Sequence, residues 1–127
     1  MRDVLYSGKV YALHAQVALF DAEDADSYPQ WKTGTEDAVL GPKGVAVATA
    51  SDTEIEVTVY KGKRASDEIL CISGEIQVGD QGLVVGNIVS GDFAQLAWPP
   101  GQTSVDVYTN GRGEEVTRVV FVVESLE

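Results

Sequence analysis

Apolar and polar positions alternate along most of this chain with a period of two. From Val10 to Phe20 one side carries Tyr11, Leu13, Ala15, Val17 and Leu19, and the other carries Val10, Ala12, His14, Gln16, Ala18 and Phe20. One face is apolar throughout and the other is mixed, the signature of a strand with one side on a core. The alternation fails over residues 21–43 and resumes at Val45–Ala50, then at Glu54–Tyr60, where Ile55, Val57 and Val59 share a face. Ser51-Asp52-Thr53 between those two runs is short enough for a hairpin. Further strands are predicted at Ile69–Val78, with a possible bulge at Gly74, and at Leu83–Val89, Phe93–Trp98, Ser104–Thr109 and Val116–Glu124. The turns between them are Gly79-Asp80-Gln81-Gly82, Ser90-Gly91-Asp92, Pro99-Pro100-Gly101-Gln102 and Asn110-Gly111-Arg112-Gly113. Asn-Gly between alternating runs is a strong hairpin cue. The pattern predicts an all-β fold: a single antiparallel β-sandwich of about eight to nine strands over residues 1–127, with one long irregular loop. Within that loop, Thr35–Leu40 could form at most a short helical turn, ended by Gly41-Pro42.

Composition supports the same class. Among the 127 residues are 19 Val, 5 Ile and 8 Thr against 8 Leu, and β-branching suits a pleated surface better than a helix. A chain of this length buries enough surface for one core without staples. The charge is less ordinary: 20 acids against 9 bases give −11. A nucleic-acid binder needs clustered Lys and Arg to displace counterions from phosphates, so nucleic acid and anionic membrane surfaces are both excluded as partners. Met1–Lys9 holds no apolar run of signal-peptide length, and a single cysteine forms no internal disulfide. The expected location is the cytoplasm.

Little in the sequence points to bond chemistry. His14 is the single histidine and lies within a predicted strand, so a transition-metal site would have to rest on carboxylates. Cys71 sits between Leu70 and Ile72, an apolar setting for a packed thiol rather than a nucleophile. The glycine-rich turns join strands instead of opening helices, so they do not fit phosphate-binding loops. No catalytic residue, metal site or cofactor is expected, and the reading is a protein that is not an enzyme. Trp98 is expected to pack in the core or at an edge.

The acidic segment is where the sequence offers a function. Residues 21–37 hold six acids and one lysine, a balance of −5. The candidate partner-binding residues are Asp21, Glu23, Asp24, Asp26, Glu36 and Asp37, with Tyr28 and Trp31 as apolar anchors. Aromatic side chains beside fixed charge are common interface anchors, and an acidic surface speeds encounter with a basic protein. Two alternatives stay open. One is a calcium or small-ligand site, for which Asp52, Asp80 and Asp92 would have to join the loop acids, since the EF-hand spacing fails at Asp26 and Lys32. The other is a structural module that self-assembles through strand edges.

The order of these pieces resembles the competence protein J family, small proteins that inhibit a DNA-entry nuclease. The resemblance rests on His14 and Gln16 in a strand running to Phe20, an irregular stretch to Trp31, the small-residue strand Val45–Ala50 with an apolar strand after it, and Leu96-Ala97-Trp98-Pro99-Pro100-Gly101 before a closing hairpin. The sequence departs from the family in the extra residue between His14 and Gln16 and in its more acidic loop. The resemblance implies a small cytoplasmic binding protein, an immunity or nuclease-inhibitor-like factor, and assigns no functional residue.

Overall fold

The structure is a computed structural model that describes residues 3–23, 37–62, 69–87 and 90–126. The described residues form ten strands: β1 Asp3–Tyr11, β2 Gln16–Asp21, β3 Ala38–Gly41, β4 Gly44–Ala48, β5 Glu54–Lys61, β6 Ile69–Val78, β7 Leu83–Asn87, β8 Asp92–Leu96, β9 Gly101–Thr109 and β10 Arg118–Ser125. They make two five-stranded sheets, one ordered β1-β5-β10-β9-β6 and the other β3-β4-β2-β7-β8. No described helix is long and apolar enough to cross a membrane. The all-β class stands. Alternate residues of both sheets meet in one core: Val17, Leu19, Val45, Val47, Leu83 and Val85 from the second sheet face Ile55, Val57, Val59, Val105, Val107 and Phe121 from the first. Full burial of each such side chain contributes about 1.5–3 kcal/mol, so the valine-rich alternation drives the two sheets together.

Several expectations need correction. The run from Val10 to Phe20 is two strands in different sheets, split by a 3-10 turn at Leu13–Ala15. His14 and Ala15 take φ values of 60° and 59°, and the turn shifts the pleat by one residue. Val10 and Ala12 point to the core before it, and Val17 and Leu19 after it. The apolar face predicted from Tyr11 to Leu19 therefore mixes an exposed Tyr11 with buried residues. Ser51-Asp52-Thr53 is likewise no hairpin, because β4 and β5 belong to different sheets. The chain crosses there with Asp52 at φ 54°, held by Asp52 N–H to the Ala12 carbonyl and Ala12 N–H to the Thr53 carbonyl. The sheets are not wholly antiparallel either: β5 and β10 pair in parallel, Arg118 opposite Glu56. Turn signals reveal only sequential neighbours, and these two strands are separated by four others. Where a helical turn was allowed, Ala38–Gly41 is strand β3, pairing with β4.

Bulges explain the remaining differences. On β1 and β6, the two edges of the first sheet, the register slips between Val4 and Tyr6 and between Leu70 and Ile72. In each case two consecutive residues, Leu5–Tyr6 and Cys71–Ile72, pack against the core. An extra residue reverses the parity of everything before it, so Leu70 faces outward and is 53% exposed. The bulge predicted at Gly74 is not there; Leu40 of β3 lies against that glycine and fills the place of a Cβ.

Asn87 pins the sheet switch. Its side chain is fully buried, and Nδ2 donates to the Leu13 and Gln16 carbonyls at 2.8 Å each, one on either side of the left-handed pair. Its Oδ1 accepts the Ser90 N–H at 2.9 Å. Truncation would remove three hydrogen bonds at once and leave a cavity where the buried amide sat. We expect Asn87→Ala to cost about 3 kcal/mol, read as a lower urea midpoint with an unchanged slope.

Candidate partner-binding site

The acidic segment starts at the end of β2 and stops at the start of β3. Of its predicted members, Asp21, Glu23 and Asp37 are described; Asp24, Asp26, Tyr28, Trp31 and Glu36 lie outside the described residues. Asp21 is level with Leu83 of β7, and its N–H reaches the Lys43 carbonyl. Asp37 stands at the opposite end of the same sheet, its carbonyl accepting the Ala48 N–H beside Gln16. The two ends of the segment are therefore a strand length apart.

Asp21 is only 3% exposed, and its Oδ1 accepts the N–H groups of Glu23 and Gly79 at 3.2 Å each. Its carboxylate serves the fold, which corrects its expected place on a partner-facing surface. Glu23 is exposed, and its Oε2 accepts the Asp80 N–H at 3.1 Å. Together they tie the root of the segment to the Gly79–Gly82 turn between β6 and β7. A Cβ at Gly79 would meet the Glu23 carboxylate and push it aside. Asp37 pairs with Arg112 at 3.2 Å, the two side chains 43% and 72% exposed. An ion pair this open contributes at most about 1 kcal/mol, but it offsets part of the charge at that end. Sequence reasoning missed both partners. The Gly-Asp-Gln-Gly turn was visible as a turn, and nothing local marks it as the anchor of a segment 58 positions away.

Cys71 lies beside the Asp37 end. Its half-buried Sγ is 3.9 Å from the Asp37 carbonyl. Burial pushes the thiol above its usual range, the Asp37 carboxylate pushes it further, and Arg112 pulls it back in part. A raised pKa keeps the thiol protonated and slow to react, so the expected packed thiol is what the structure contains. Trp98 is buried, and its Nε1 donates to Thr103 Oγ1 at 2.7 Å. His14 is exposed on the sheet-switch turn.

The calcium alternative required Asp52, Asp80 and Asp92 near the acidic loop. Asp80 is at the Asp21 end, whereas Asp52 follows β4 and Asp92 begins β8 at the other end. Among the described residues, no three His, Cys, Asp or Glu side chains come together as a metal site.

No family model and no curated protein matches the sequence. Two solved structures match the fold over its full length. One is ComJ from Bacillus subtilis, an inhibitor of the DNA-degrading activity of NucA, with a TM-score of 0.73 at 10% identity over 99% of each chain. This chain shares the fold of ComJ. The other is the crocagin biosynthetic gene J product, with a TM-score of 0.61 at 12% identity over 100% of this chain and 99% of that one. The resemblance to the competence protein J family is thus present in the fold, and at these identities it speaks of the fold alone.

Two outcomes are expected. Asp21→Ala lowers stability by about 2 kcal/mol in urea denaturation, because two N–H groups lose their buried acceptor. Alkylation of Cys71 by iodoacetamide sets in at higher pH than for an unstructured cysteine peptide, and Asp37→Asn moves that onset downward.

Proposed function

We propose that this chain is a non-enzymatic acidic binding protein, a two-sheet sandwich that docks on a basic protein in the manner of a nuclease inhibitor. The observation that carries the reading is the end-to-end similarity to ComJ, whose role is to block the DNA-degrading activity of NucA. The charge of −11 supports it, since an acidic inhibitor is drawn to a basic nuclease and repelled by the nuclease's substrate. The working surface is the acidic segment, with Glu23, Asp24, Asp26, Glu36 and Asp37 as steering charge and Tyr28 and Trp31 as apolar anchors. Inhibition is then occlusion: the partner's cationic nucleic-acid groove is covered and no bond is made or broken. The setting is the cytoplasm.

The test is plasmid degradation by purified NucA with increasing amounts of this chain. The expected result is loss of degradation near equal molar ratio, with an association rate that falls as salt rises. Replacing Asp24, Asp26 and Glu36 by Asn, Asn and Gln is expected to slow association about tenfold at low salt while leaving dissociation little changed. Undiminished degradation with no complex in sedimentation would overturn the reading.

A further inference from the structure

The four strand edges of this fold are guarded unequally. Exposed backbone along an edge invites pairing, and folds blunt it with bulges, charges or cover. β1 carries a bulge and Lys9, and β6 carries a bulge and Glu75. β3 and β6 cover one another, with Leu40 on Gly74 and Gln77 N–H donating to the Pro42 carbonyl at 2.8 Å. β8 differs. It meets β1 at its start, where Tyr11 N–H donates to Asp92 Oδ2 at 2.8 Å and the Ser90 hydroxyl donates to the Tyr11 carbonyl at 3.0 Å. From Phe93 onward it has an unbroken register with β7, no bulge and no charged side chain.

Three further observations lie along this edge. Phe93 is 51% exposed, since Gly86 opposite it has a φ of +137° and no side chain to pack on the ring. A hollow of about 530 Å³ opens at the end of the strand, between the Asp80–Gly82 turn and Gln95–Trp98. The described residues that line it include no Lys or Arg, and Asp80 is the acid among them, its N–H held by the Glu23 carboxylate. The edge thus runs from Asp92 past an exposed ring to a hollow beside Asp80, at the root of the acidic segment.

We propose that the edge of β8, the last strand of its sheet among the described residues, accepts an extended, cationic segment of a protein partner as a further strand. Main-chain pairing along Phe93–Leu96 supplies the affinity, an apolar side chain of the partner covers Phe93, and a Lys or Arg enters the hollow beside Asp80. The proposal rests on the reading of a basic protein partner and adds a second contact to the acidic segment. A second copy of this chain is disfavoured as the occupant, because two bodies of charge −11 repel.

The test is independent of any nuclease. Random peptides of about twelve residues, long enough for one strand, are displayed on phage and selected on the immobilised chain. Enriched peptides are expected to alternate Lys or Arg with apolar residues, and to slow amide exchange at Phe93–Ala97 when bound. Phe93→Lys, at an exposed position that the fold tolerates, is expected to weaken them about tenfold, and Asp80→Lys to weaken the most cationic of them comparably. No enrichment, enrichment without basic residues, or equal binding by Phe93→Lys overturns the proposal. So does a dimer in sedimentation that Phe93→Lys dissolves, which would give the edge to a second copy. NucA inhibition without peptide enrichment would retain the proposed function and reject the edge.

Discussion

The architecture depends on one constraint, the switch that hands the chain from the first sheet to the second between β1 and β2. Two consecutive non-glycine residues, His14 and Ala15, are held in the left-handed region, a conformation that costs about 1–2 kcal/mol per residue. The buried Asn87 amide offsets that cost by binding the carbonyls on both sides of the turn. With the switch in place, Val10 and Ala12 face the core from one sheet while Val17 and Leu19 face it from the other. The neighbouring crossover at Asp52 is stitched to the same corner through Ala12. Remove the fork, and the pleat has no reason to change phase where the two sheets must part.

The fold also separates scaffold from surface. Carboxylates that looked alike in sequence take different tasks once the fold is formed. Asp21 is consumed by two backbone N–H groups, Asp37 shares its charge with Arg112, and Glu23 fastens the root of the acidic segment to the Asp80 turn. Net charge sets which partners approach, and the fold sets which acids they meet. That division is consistent with a binding protein whose work is electrostatic steering followed by shape-specific contact.

The strand edges differ from one another as well. Bulges at Leu5 and Cys71 turn neighbouring apolar residues inward and spoil the outer edges of the first sheet for pairing. In the second sheet, β3 is screened by β6. β8 keeps a regular register and an exposed aromatic ring, features that a fold under pressure to stay solitary tends to remove.

The sequence by itself determined the all-β class, most strand positions, the inward set of Ile55, Val57, Val59, Ile76 and Val78, the packed Trp98 and Cys71, and the acidic balance. These follow from period-two alternation and β-branched composition, which are local quantities. Tertiary structure alone decided that Val10–Phe20 divides between sheets, that β4 and β5 are not a hairpin, and that β5 lies parallel to β10. It also decided that Asp21 is buried and that Leu70 and Phe93 are exposed. Alternation fixes two faces of a strand but not its sheet, its neighbours or which face looks inward, and a single bulge or left-handed turn exchanges the faces. Those choices are made by pairings between residues distant in sequence, and only the assembled core can select them.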